Sequence, residues 1–248
     1  MRLNLFEIEN IINLKEKYFG KDAKIYLFGS RVDDNKKGGD IDLYLKRASI
    51  SNDDYDFKNK FITELESIIG YQKIDLIVSR DENRIIEIEA KKGIELDIDK
   101  IKLQKYFNEC DKHLQRIEQA YSQIKKILPL SYIKYENLED EEVKNIDQFL
   151  FRFAKLQDTL GNKIFKLILK QYEPNFEQLT FIDFLNLLEK KDILPKAEDW
   201  IELRKVKNNI AHQYDDEPRE MSKALNDIFA SYDMIKQIYL KTKNKYAE

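Results

Sequence analysis

Two aspartates one residue apart, Asp40 and Asp42, follow a Gly29-Ser30 pair across a short polar segment, and a third, Asp75, stands among apolar residues in Lys73-Ile-Asp-Leu-Ile-Val78. In an extended chain successive side chains point to opposite faces, so Asp40 and Asp42 share one face while Ile41 and Leu43 share the other. Carboxylates held side by side repel, and one is pushed toward protonation unless a cation stands between them. A hard divalent ion such as Mg²⁺ removes that conflict and prefers a few carboxylates together with phosphate oxygens. Gly29 lets a backbone approach a phosphate closely, and the Ser30 hydroxyl with adjacent N–H groups can hold phosphate oxygens. A strand-borne Asp-x-Asp beside such a turn therefore reads as a metal and nucleotide site. On a neighbouring strand, Asp75 would bind a second ion or take the proton from an attacking hydroxyl. Arg31, next to the turn, would pair with a triphosphate; its alternative is a solvated charge.

The elements that must position these groups follow from hydrophobic period. Lys24 to Phe28 and Lys73 to Val78 read as buried strands, Asp40 to Leu45 as an alternating one, and Ile94 to Leu96 as a short terminal strand. Leu5 to Leu14, Tyr55 to Ile69 and Asn83 to Lys92 carry apolar residues at helical spacing. Residues 1–98 are expected to form a mixed sheet with flanking helices. From about Lys100 the strand signals stop. Six helices are expected, over Ile101–Leu128, Glu141–Leu160, Asn162–Gln171, Phe181–Glu189, Lys196–His212 and Pro218–Lys245, with Pro129, Gly161, Pro174 and Pro195 among the breakers and Thr180 as a cap. The expected fold is α+β: an N-terminal sheet domain, 1–98, and a C-terminal all-α helical bundle, 99–248.

The run Leu27-Phe-Gly-Ser-Arg31, then Gly38-Gly-Asp-Ile-Asp-Leu-Tyr44, then Ile74-Asp-Leu-Ile77 resembles the minimal nucleotidyltransferase domain of the polymerase β-type superfamily. The resemblance spans about the first 95 residues. It implies that Asp40, Asp42 and Asp75 ligate Mg²⁺, two ions in the full site, and that Gly29 and Ser30 hold a nucleoside triphosphate. A nucleoside monophosphate, AMP from ATP, would then pass to a hydroxyl with loss of pyrophosphate. The loop is one residue shorter than the commonest spacing in that family and carries Gly39 where many members have Ser.

A second constellation lies in the helical half. Arg204, Asn208 and His212 recur every four residues, so on a helix they form one polar stripe, with Lys207 alongside. The segment Lys207-Asn-Asn-Ile-Ala-His-Gln-Tyr214 resembles the HEPN family and the related substrate-binding partners of minimal nucleotidyltransferases. That resemblance implies a His212 that handles protons in RNA cleavage and a Tyr214 that is the target of adenylylation. Active members place an arginine four to six residues before the histidine; here Lys207 holds that spacing and Arg204 is too distant. Lysine lacks the fixed fork with which arginine grips phosphate, which argues against ribonuclease activity.

Composition narrows the remaining classes. One cysteine and two histidines cannot build a Cys/His zinc site, so any metal must sit on oxygen ligands. A net charge of −3 speaks against a strongly DNA-coating protein. No apolar stretch approaches the roughly 20 residues of a membrane span, and the early acidic residues do not suit a signal peptide, so a cytoplasmic location and no membrane partner are expected. The expected partners are a nucleoside triphosphate, an acceptor that is protein, RNA or small molecule, and a second copy of the chain or a toxin. The setting that the resemblances imply is a toxin–antitoxin or defence module. Two alternatives stand beside the transferase: a HEPN ribonuclease regulated by its N-terminal domain, and a nucleotide-binding interaction module without turnover. Phe151, Phe153, Trp200, Tyr232 and Tyr239 are read as core, and His113 as a surface residue.

Overall fold

A computed structural model describes residues 1–33, 35–47, 53–80, 83–212 and 217–247, apart from the side chains of 211 and 212. It divides into two compact units, Met1–Ile101 and Lys102–Glu248. No helix among the described residues is long and apolar enough to cross a membrane.

In the first unit, α1 (Leu5–Phe19) leads into β1 (Lys24–Phe28), a one-turn 3₁₀ segment (Gly29–Val32) and β2 (Ile41–Lys46). Then come α2 (Asp54–Ile69), β3 (Ile74–Val78), α3 (Ile85–Lys91) and the two-residue β4 (Ile94–Glu95). The strands form one sheet in the order β3-β2-β1-β4, parallel between β2 and β3 and antiparallel elsewhere. The period-2 pattern decides its faces. Ile25, Leu27, Ile41, Leu43 and Leu45 are buried in one cluster with Ile8, Ile11 and Ile12 of α1 and Phe61 and Leu65 of α2. Each such side chain contributes on the order of 1.5–3 kcal/mol by leaving water.

The opposite face carries Asp42 and Tyr44 from β2. Its Tyr44 end is closed: Tyr44 is fully buried and donates to the buried Glu87 of α3 (3.2 Å), which also accepts from Ser79 Oγ (3.1 Å) and the Arg80 N–H (3.1 Å). The Asp42 end is only half-buried. One strand thus presents a sealed phenol at one end and a carboxylate in reach of solvent at the other.

The described secondary structure of the second unit is all helical, with α4 (Ile98–Ile124), whose first residues belong to the first unit, α5 (Tyr132–Glu136), α6 (Asp140–Thr159), α7 (Phe165–Lys170), α8 (Phe181–Lys190), α9 (Ala197–His212), α10 (Pro218–Ala230) and α11 (Tyr232–Tyr246). Its core centres on aromatics such as Phe149, which packs edge-on against Phe229 at 4.9 Å. Thr180 caps α8 as expected, accepting from the Asp183 N–H at 3.2 Å. Several details differ from the sequence reading, among them the short α5, which it did not expect. Gly161 does not separate two helices: Leu160–Ile164 is a single π turn that carries α6 on into α7. The expected helix over Pro218–Lys245 breaks at Ser231, whose hydroxyl donates back to the Ile228 carbonyl (2.8 Å), a local bond that competes with helix continuation. His113 is buried, not exposed, because the face of α4 that carries it packs toward Arg152 of α6, whose guanidinium lies 3.3 Å from Nδ1.

Of the aromatics read as core, Phe153, Trp200, Tyr232 and Tyr239 are buried. Phe151 instead stands 55% exposed, with Arg152 and Lys155 at 5.3 and 5.6 Å from its ring.

Candidate functional site

Strand register brings the acidic residues together. Asp42 of β2 lies directly opposite Asp75 of β3 in the parallel ladder, and Phe28, the last residue of β1, lies opposite Asp42 on the other side. The chain must turn sharply after Phe28 to clear that carboxylate. Gly29 does so with φ of +72°, a left-handed conformation that costs other residues about 1–2 kcal/mol. A methyl built on Gly29 would overlap Asp42 Oδ2, so the absent side chain makes room for the carboxylate itself.

The electrostatics follow from this crowding. Burial first, and then the neighbouring Asp75 and Asp40 carboxylates, push the Asp42 carboxyl above its usual range. Asp40, just ahead of β2, is drawn to Lys73, whose Nζ lies 2.7 Å from Asp40 Oδ2 and 3.6 Å from Asp75 Oδ2. The Asp40 hydrogen bond raises the Lys73 pKa in turn. Among the described residues no three acidic, histidine or cysteine side chains already converge on one point, and the Lys73 ammonium is the cation between Asp40 and Asp75. The donors are hard carboxylate oxygens whose mutual repulsion favours a positive charge, which suits a hard divalent ion.

The Gly29-Ser30 turn is held from outside by residues that spacing did not single out. Arg2 donates to the Gly38 carbonyl (2.9 Å) and the Ser30 carbonyl (3.0 Å), and its Nη2 lies 3.5 Å from Ser30 Oγ. Gly38 packs so closely on Ser30 that a methyl there would overlap the hydroxyl. Arg31 donates to the Gly39 carbonyl (2.5 Å) and to Gln72 Oε1 (2.5 Å), and lies 4.0 Å from Glu7. Glu7 also closes the capping box of α1 with Asn4 and accepts from Gln72 Nε2 (3.3 Å). One buried carboxylate thus ties the start of α1, the arginine of the turn and the approach to β3 into a single frame. The Arg31 guanidinium is committed to that frame. No short-range signal could have revealed it, because the contacts that join the start of α1, the turn and the approach to β3 link residues 24 to 65 apart in sequence.

In the helical unit the predicted stripe on α9 divides. Arg204 stacks on Phe181 of α8, with Cζ 4.3 Å from the ring centre, in a cleft of about 450 Å³. Asn208 faces a second hollow of about 500 Å³, beside Phe151 and Asp147. Between them Lys207 Nζ is held by Asp158 Oδ1 at 2.9 Å. The His212 side chain and Tyr214 lie outside the described residues.

Comparison with known proteins finds no counterpart: no protein-family model, no curated protein and no solved structure matches this chain.

Proposed function

We propose that the first unit is a metal-dependent nucleotidyltransferase of the minimal, polymerase β-type kind, that it moves AMP from ATP to a hydroxyl, and that the second unit is HEPN-like. The observation that carries this reading is the packing of side-chain-free Gly29 onto the Asp42 carboxylate, itself opposite Asp75. That packing sets the Gly29-Ser30 turn against a cluster of like charges.

In this reading Gly29 and Ser30 receive the triphosphate, with the Arg2 guanidinium beside the Ser30 hydroxyl supplying positive charge. Asp40, Asp42 and Asp75 would hold Mg²⁺, which neutralises phosphate charge and polarises the reacting phosphoryl group. Lys73 leaves Asp40 and Asp75 when the site loads. The acceptor oxygen attacks the α-phosphorus, the bond to the β-phosphate bridging oxygen breaks, and pyrophosphate departs with the bonding pair. Asp75, the most exposed of the three carboxylates, takes the acceptor's proton. Positioning and charge neutralisation supply most of the acceleration in such transfers.

The test is incubation of the full chain with ATP labelled at the α-phosphate, Mg²⁺ and a cell extract. Label on a protein, an RNA or a small molecule, together with pyrophosphate release, is the expected result, and it identifies the acceptor class. Nucleotide binding with no transfer to any fraction would leave an interaction module in its place. The ribonuclease alternative draws less support, since the Lys207 ammonium is taken up by Asp158.

A further inference from the structure

Within the helical unit a neutral group stands unsatisfied. Gln157 of α6 is 2% exposed, and neither its Nε2 nor its Oε1 has a hydrogen-bond partner among the described residues. A buried amide in that state is costly and calls for a partner from outside the chain. Gln157 lines the cleft that also holds Arg204. The π turn begins three residues further on; such turns re-aim the residues around them and recur at functional sites. Gly161 within it lies against the Trp200 indole, where a methyl would come 2.9 Å from Cζ2.

The rest of the lining defines what would fit. Trp200 is fixed edge-on by Phe165 at 4.9 Å, and Phe184 and the half-exposed Phe181 add flat apolar wall. Arg204, stacked on Phe181, and the exposed Lys166 supply positive charge. Two acids also line the cleft: Asp158, already paired with Lys207, and Glu177.

We propose that this cleft is a binding site for a free adenine nucleotide, separate from the carboxylate site and independent of the transferase reading. A glutamine amide offers a donor and an acceptor side by side, the complement of adenine N6–H and N7. Aromatic faces accept the base by stacking, and arginine and lysine take the phosphate. A volume of about 450 Å³ falls in the range of small-molecule pockets.

Trp200 is the chain's single tryptophan, so its fluorescence reports on this cleft alone. The experiment titrates AMP into the full chain in EDTA, which keeps the carboxylate site free of divalent ions. Saturable quenching by AMP is expected, with weaker binding of IMP, which lacks the N6 donor, and no quenching by ribose 5-phosphate or inorganic phosphate. Gln157→Leu should weaken AMP about tenfold or more while raising the melting temperature, because an unpaired buried amide is removed. Arg204→Met should weaken AMP but leave adenosine unchanged. Absence of a saturable response, or a Gln157→Leu protein that melts higher yet binds AMP like the wild type, would overturn the proposal and leave Gln157 a structural amide. If Gln157→Leu fails to fold, the Arg204→Met comparison of AMP with adenosine decides.

Discussion

The strand ends around Asp42 and the cleft around Gln157 are both left incomplete by folding, in opposite ways. At the strand ends the unmet need is charge: the Asp75 and Asp40 carboxylates act on that of Asp42 within reach of solvent, and a single lysine partly compensates. In the helical cleft the need is hydrogen bonding: a buried neutral amide lines it with nothing to pair with among the described residues. Open charge responds to pH, salt and cations. A buried unpaired amide barely responds to these and waits for a partner of matching shape. The difference separates a site suited to chemistry on a charged group from one suited to recognition of a flat one.

Removing Asp42 breaks the comparison on the chemical side and carries the largest expected effect. Asp42→Ala should reduce Mg²⁺-dependent pyrophosphate release by about 10²-fold or more; turnover near the wild-type rate would refute the transferase reading. The stability of the fold should move the other way. Because the folded-state carboxyl sits above its ordinary value of 3.8, the folded chain holds the Asp42 proton more tightly than the unfolded one. That contribution is complete below the ordinary value and is lost as pH rises through the raised folded value. At neutral pH the ionised group therefore strains the fold, and Asp42→Asn should unfold at higher urea concentration than the wild type.

Gly29→Ala comes next. The left-handed backbone alone costs about 1–2 kcal/mol, and the added methyl displaces Asp42 Oδ2. Urea titration should show the destabilisation, and pyrophosphate release should fall roughly tenfold or more. A variant that is destabilised yet fully active would mean that the turn supports the fold without shaping the site.

These two residues also mark what is legible in a sequence. The shared face of Asp40 and Asp42 follows from a period of two, and a sharp glycine turn at the end of an apolar strand leaves few geometries for Ser30. The frame behind them is not legible. Arg2, Glu7 and Gln72 meet only because α1 and the approach to β3 converge on the turn, and spacing along the chain carries no trace of that. The helical unit is harder still. Periodicity locates most of its helices but treats Gly161 as a stop, whereas the chain runs through it as a π turn that lies against Trp200 and prolongs the helix. Gln157 and His113 look like ordinary polar residues on amphipathic helices, and only the assembled unit shows both to be buried.

His113 sharpens the comparison from the helical side with a smaller effect. Burial first, and then the nearby Arg152, hold its pKa below the ordinary 6.5. A lowered histidine favours the neutral form in the folded state. Its contribution is complete above the ordinary value and is lost as pH falls through the lowered folded value, the reverse of Asp42. Urea midpoints of the wild type should therefore drop on acidification below about pH 6.5. In His113→Leu that part of the drop should be missing, and an unchanged acid limb would show that His113 carries none of it.

The smallest effect tests how the open site is compensated. Lys73 is two-thirds exposed, so its contacts with Asp40 and Asp75 are screened by water and salt. If its ammonium occupies the place of a divalent ion, Lys73→Met removes a competitor. The Mg²⁺ concentration for half-maximal pyrophosphate release should then fall, by about two- to fivefold given the modest strength of exposed pairs. The alternative has the opposite sign: a lysine that contacts the triphosphate would, on removal, raise the ATP requirement and leave the Mg²⁺ requirement alone. Varying Mg²⁺ at fixed ATP and then ATP at fixed Mg²⁺ separates the two. A shift confined to ATP would mean that Lys73 belongs to the nucleotide and that the three carboxylates bear their repulsion without an internal cation.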